Sequence, residues 1–176
     1  TVCVSLAKKK QTENDCKIRK GYKMGFTLSQ RSLDRLTGVN EDMVRVVKKA
    51  IDLTKIDFGV ICGMRTIEEQ EALVAKGASQ TMKSKHLEGL AVDLMAYIGG
   101  RASWELNVYD DIADAMMEAA KLEDVSVRWG AAWHINDLRT CNITMEAAMN
   151  DYIDTRRAEG RRPFIDGPHF ELSKNV

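Results

Sequence analysis

Two short segments hold most of the side chains that could bind a metal and move protons. The first is Ser84-Lys85-His86-Leu87-Glu88-Gly89-Leu90-Ala91-Val92-Asp93, and the second is Asp166-Gly167-Pro168-His169-Phe170-Glu171-Leu172. An imidazole nitrogen and a carboxylate oxygen are both zinc ligands, and a catalytic zinc takes three protein ligands with a fourth position left for water. Gly89 permits a tight turn, after which Ala91 and Asp93 share one face of a strand while Val92 and Leu94 share the other. His86, from before that turn, can reach the same point as Asp93. Gly167 and Pro168 force a bend, so Asp166 and His169 can flank one site, with Phe170 turned to the core. His86, Asp93 and His169 thus form a candidate set of two histidines and one carboxylate for Zn2+.

Hydrolysis of an amide by such a set needs one more group. Zinc lowers the pKa of its water to about 7, yet a base must still take the proton and return it to the leaving amine. Asp166 is the candidate, its other reading being a turn-capping aspartate ahead of Gly-Pro, and Glu88 is a rival base. Arg65, at the end of a strand, is placed to stabilise a developing oxyanion or to grip a substrate carboxylate, the alternative being a surface ion pair. Glu171 shares a face with His169 and can orient it. Ser84 either hydrogen-bonds substrate or orders its loop. His134 follows Trp133 with no motif around it, and Trp104, Trp129 and Trp133 read as core or rim aromatics.

The elements around these segments follow from spacing. A short helix fits Leu28 to Leu36, stopping near Gly38. Asn40 caps an amphipathic helix over about residues 41–54, carried by Met43, Val44, Val47, Ala50 and Ile51. Phe58 to Cys62 reads as a buried strand. Thr66 with Glu69 forms a capping box that opens a helix ending at Gly77, and a loop runs from Ala78 to Lys85. Leu90 to Tyr97 is an apolar strand broken by Asp93, a polar residue that needs a partner or a task. A helix over about residues 107–121, a strand Val125 to Trp129, a helix over about 144–158 and a last strand His169 to Leu172 complete the pattern. Short strands among helices predict an α+β fold with a small antiparallel sheet carrying the site.

Composition bounds the partners. The 176 residues fit one compact domain, expected to act as a monomer, and no apolar run is long enough to cross a bilayer, so no stable membrane association is expected. Residues 1–23 carry a net charge of +5 in a chain whose total is zero, leaving a mildly acidic body that argues against nucleic acid as a partner. Residues 1–23 are expected to be a flexible extension without secretion-signal character, and residues 24–176 the catalytic domain. Cys3, Cys16, Cys62 and Cys141 lack the spacing of a zinc finger or a redox pair and read as idle thiols.

SKHLEGLAVDL resembles the SxHxxGxAxD signature of the D-alanyl-D-alanine carboxypeptidase and dipeptidase group, and DGPHFEL resembles its acidic-x-x-His motif. FTLSQRSLDRLTGV, GMRTIEEQ, GASQT and RWG are similar to the phage L-alanyl-D-glutamate endopeptidase branch, so the likeness runs from about Phe26 to Leu172. The resemblance implies a fold shared with the Hedgehog signalling domain, zinc on His86, Asp93 and His169, Asp166 as general base and Arg65 at the substrate. It implies a bacteriolytic endolysin that cuts peptidoglycan stem peptides, accumulating in the host cytoplasm and reaching the wall after a separate membrane lesion. Gly130-Ala131-Ala132-Trp133 departs from the more usual Gly-Gly-acidic-Trp. A D-alanyl-D-alanine carboxypeptidase or dipeptidase, or a zinc-containing binding module without activity, remain open alternatives. The Arg156, Arg157, Arg161, Arg162 cluster reads as a solvated helix end or as a hold on an anionic wall polymer.

Overall fold

Residues 25–79 and 81–173 are described by the structure, a computed structural model. The extension expected over residues 1–23, with Cys3 and Cys16, lies outside them. Helix α1 (Gln30–Arg35) is capped by Ser29, and α2 (Glu41–Leu53) by Asn40, whose side chain accepts from the Asp42 amide. Strand β1 (Asp57–Cys62) follows, then α3 (Ile67–Ala75), opened by the complete Thr66 and Glu69 capping box. A 3-10 turn over Lys85–Glu88 ends at Gly89, whose φ of 65° lies in the left-handed region that glycine adopts without strain. Strands β2 (Ala91–Ile98) and β3 (Arg101–Ser103), helix α4 (Leu106–Glu123) and strand β4 (Val127–Trp129) come next. Helix α5 (Met145–Ala158), capped by Thr144, and strand β5 (His169–Leu172) close the order.

The α+β fold expected from the spacing is the one observed. The strands form one sheet in the order β1-β2-β5-β4, with β3 pairing the far end of β2, and every pairing is antiparallel. The expected elements are all present, and the hairpin partner β3 is an addition: Gly99 and Gly100, both at positive φ, turn the chain back after Ile98. Alternation along β2 divides the sheet into two faces. Val92, Leu94 and Ala96 are fully buried and join Val46, Val47 and Ala50 of α2 and Ile112, Met116 and Ala119 of α4 in one core. Phe170 and Trp129, stacked at 6.3 Å, extend that core under β5 and β4. Asp93, His169 and Glu171 occupy the other face.

No helix among the described residues is long and apolar enough to cross a membrane.

Candidate metal centre

Register brings the two motifs together. Asp93 faces His169 across the β2 and β5 pair, Cys62 faces Asp93 across β1 and β2, and Ala91 faces Glu171. A bulge between Val60 and Cys62 shifts the end of β1 so that the cysteine enters this row. His86 comes from the 3-10 turn just before β2, and its ring meets the same row. His86 Nε2, Asp93 Oδ1 and His169 Nδ1 form a triangle with edges of 3.1, 3.0 and 3.3 Å. Ligands about 2.0 Å from a tetrahedral ion stand about 3.3 Å from one another, so this donor set fits a metal of zinc's size.

The outer ring nitrogens are tied off, which fixes the tautomer a metal site needs. His86 Nδ1 donates to the Gly63 carbonyl at 2.7 Å, leaving Nε2 with its lone pair free for the triangle. His169 Nε2 donates to Glu171 Oε2 at 3.3 Å, leaving Nδ1 free, and Arg128 holds Glu171 from behind at 3.1 Å. Cys62, His86 and Asp93 also offer donor atoms within 4.8 Å of one another. The thiol, however, stands 3.6 Å from His86 Nδ1, the nitrogen committed to Gly63, and one imidazole cannot aim both nitrogens at one ion. His169 is therefore the third ligand that the geometry supports.

Electrostatics point the same way. Burial alone would raise the Asp93 carboxyl, but hydrogen bonds from both imidazoles outweigh it and hold the group well below the usual carboxylate range. Burial would lower both histidines, yet Asp93 and Cys62 carry His86 up to about 10, and Asp93 with Glu171 carries His169 up to about 9. A buried carboxylate flanked by two rings that attract protons this strongly is a place where positive charge is stabilised, by protons or by a metal ion.

Asp166 lines the same cleft, and burial pushes its carboxyl up from the ordinary aspartate value. Its turn is pinned from several sides. The Asp166 amide donates to Gly130 O at 2.9 Å, the Gly130 amide donates to His169 O at 2.9 Å, and Trp129 Nε1 donates to Gly167 O at 2.8 Å. A Cβ on Gly130 would collide with the Asp166 carbonyl oxygen, so the backbone approach there requires glycine. The Trp-Gly pair of the RWG segment thus seats the turn that carries both Asp166 and His169.

Arg65 also lines the cleft, with its donors on protein partners: Gln70 Oε1 at 2.7 Å, Cys62 Sγ at 3.2 Å and Asp93 Oδ2 at 3.5 Å. Ser84 caps the 3-10 turn through the His86 amide at 3.4 Å, the loop-ordering alternative of its two readings, while still lining the cleft. Glu88 is exposed and pairs with Lys85, away from the triangle, which removes it as a rival base. His134 stacks on Tyr152 and pairs with Asp151 at 3.2 Å, outside the cleft. Trp129 is core, Trp104 is exposed, and Trp133 lines the cleft beside His169 and Phe164.

Sequence reasoning reads Cys62 as an idle thiol and passes over Gln70, and the structure places both at the site. Cys62 touches His86 and Arg65, a position that only the register and bulge of β1 disclose. Gln70 is fully buried, accepting from Arg65 and donating to Ser79 Oγ at 2.9 Å and Thr81 O at 2.6 Å. A glutamine in a short polar helix ordinarily reads as solvent-facing, and nothing in its spacing marks it as the clamp between Arg65 and the loop that walls the cleft.

A sequence profile described as phage L-alanyl-D-glutamate peptidase matches residues 24–173. The chain belongs to the phage L-alanyl-D-glutamate peptidase family. Among relatives, the L-alanyl-D-glutamate peptidase of Escherichia phage T5 is 30% identical over 153 residues, covering 85% of this chain and 99% of that protein. The L-alanyl-D-glutamate peptidase of Listeria phage A118 is 30% identical over 106 residues, covering 58% of this chain and 37% of that longer protein. The crystal structure of the Serratia marcescens L-Ala D-Glu endopeptidase ChiX is 32% identical with a TM-score of 0.63, covering 85% of this chain and 92% of that one. Membership of this peptidase family makes the chain a hydrolase, as its two motifs implied, and sets the inactive binding module aside.

Proposed function

We propose that this chain is a zinc-dependent endolysin that hydrolyses the L-alanyl-D-glutamate bond of peptidoglycan stem peptides, with His86, Asp93 and His169 as the metal ligands. The observation that carries the reading is the triangle of three donors whose outer nitrogens are already committed, in a chain of this family. A cleft of about 360 Å³ opens above it, enough for a few residues of extended peptide.

Zinc held there would supply Lewis acidity, activating water near neutral pH and polarising the scissile carbonyl. Asp166 takes the proton of the attacking water and delivers it to the amine that leaves. Its burial suits the first task, because a carboxyl whose pKa is raised is a stronger base than an exposed one. Arg65 fixes the second oxygen of Asp93 and adds a positive charge to the wall of the site, where negative charge develops. Glu171 keeps His169 in the tautomer that presents Nδ1, and the Gly63 carbonyl does the same for His86 Nε2. Ser84 holds the turn that delivers His86 to the strand.

In a phage, such an enzyme acts on the host wall after a separate membrane lesion. The test is release of amino groups from purified peptidoglycan, with chelator, with zinc restored, and with an Asp166→Ala variant. Zinc-restored cleavage that exposes D-glutamate amino termini, absent from the variant, is the expected result. Release of D-alanine alone would replace the proposal with a carboxypeptidase, and zinc binding without cleavage would refute it.

A further inference from the structure

The cleft is lined by three cationic side chains, Arg65, Lys83 and Lys85, and by three carboxylates, Asp93, Asp166 and Glu171. Their commitments differ. Asp93 is bound to both imidazoles and to Arg65, and Glu171 is bound to His169 and Arg128. Arg65 spends its guanidinium on Gln70, Cys62 and Asp93, so it is poorly placed to grip a substrate anion as well. The two lysines are not so engaged. Lys83 is exposed and makes no ion pair among the described residues. Lys85 has one partner, Glu88 at 3.5 Å, whose side chain is 63% exposed while that of Lys85 is only 17% exposed. An ion pair whose acidic partner is this exposed is weak and easily exchanged. Lys85 therefore lines the cleft immediately before His86, largely buried, with the exposed Glu88 as its one ion-pair partner and the Glu171 carboxylate close enough to feel its charge. A dication in the triangle would leave this cleft with an excess of positive charge, suited to an anionic substrate.

If the chain cuts as proposed above, a substrate with an unmodified glutamyl residue offers such an anion. A glutamyl residue whose nitrogen is acylated by alanine has two carboxyl groups, and the next peptide bond can take only one. The other stays a carboxylate within a few bonds of the scissile nitrogen. We infer that Lys85, assisted by Lys83 at the outer edge of the cleft, binds this free carboxylate and so determines the preference for glutamate on the leaving side. The selectivity rests on a charge-assisted hydrogen bond that a carboxamide cannot replace with equal strength.

The experiment uses the zinc-loaded protein and two synthetic stem peptides that differ in one group, the free carboxylate of the glutamyl residue and its carboxamide. Wild type should favour the acid by about tenfold or more in kcat/KM, mainly through KM. Lys85→Met should bring the ratio toward unity, Lys85→Arg should restore most of it, and Lys83→Met should reduce it by a smaller factor. Zinc stoichiometry of each variant confirms that the site has folded. A ratio near unity in the wild type overturns the inference without any variant, and a full ratio kept in Lys85→Met overturns the assignment to this residue. Cleavage of neither peptide by the wild type would instead overturn the reading of function on which the inference rests.

Discussion

Replacing Glu171 by glutamine keeps the volume of the side chain and removes its charge, which isolates the job assigned to it. In the folded chain the carboxylate accepts from His169 Nε2 at 3.3 Å and from Arg128 at 3.1 Å, and it is 9% exposed. Hydrogen bonds to a charged group contribute about 1.5 to 3 kcal/mol, and each 1.4 kcal/mol is about a factor of ten in an equilibrium constant. Loss of the charge should weaken zinc binding by about 10 to 100-fold, the range typical when the partner of a metal-bound histidine is altered. Competition against a chromophoric chelator at fixed pH measures this directly. Asp166→Asn is the control, since Asp166 is placed beside the metal set without joining it, and its zinc affinity should stay close to wild type. Unchanged affinity in Glu171→Gln would refute the claim that this carboxylate sets the tautomer of His169. Equal losses in both variants would show that zinc binding tracks the net charge of the cleft rather than that one hydrogen bond.

Asp166→Asn should also lower kcat by about 10² to 10⁴-fold with zinc stoichiometry retained, as expected when a proton shuttle is removed, and stem-peptide hydrolysis followed by chromatography checks it. In the metal-free protein both ligand histidines are raised above the ordinary value, to about 10 for His86 and about 9 for His169, so they are protonated at neutral pH and zinc must displace protons. Calorimetry in buffers of different ionisation enthalpy should therefore register proton release. The same raised values mean that the metal-free fold draws stability from these groups fully below about pH 6.5 and loses it as the pH rises through 9 to 10, which chemical denaturation across pH will test. Gln70→Ala removes the acceptor of Arg65 Nη1 and one of the two donors to the Thr81 carbonyl, and should cost about 1 to 2 kcal/mol in denaturant titrations while lowering kcat/KM. Gly130→Ala forces the turn carrying Asp166 and His169 outward, and should reduce zinc affinity and activity together.

Much of the arrangement of these side chains was legible in the sequence, and the reason is local. Gly89 permits a left-handed turn and Pro168 fixes a bend, so the grouping of His86 with Asp93 and of Asp166 with His169 follows from short segments, and the register of β2 and β5 then joins the two groups. The pairing of Glu171 with His169 follows from the period of a strand. What stayed hidden depends on contacts between distant segments. Cys62 reaches the row only through a bulge in β1, and Gln70 matters only because the loop after α3 folds back over it. Strand β3 was missed because three exposed or half-buried residues after two glycines carry no apolar pattern. The two readings of Ser84 could not be separated by residue type, since a hydroxyl that caps a turn and one that meets a substrate look alike in a sequence.

The Asp93 and His169 donors face each other across neighbouring strands, yet they stand 76 residues apart along the chain. Strand β5, with the turn just before it, thus brings both the proposed third ligand, His169, and the proposed base, Asp166. A chain that has let β5 and its turn peel away keeps His86 and Asp93, with Cys62 nearby, but lacks His169 and Asp166. On the proposed mechanism hydrolysis requires β5 to be docked against β2, and an ion bound there would latch a loop that spans nearly half the chain.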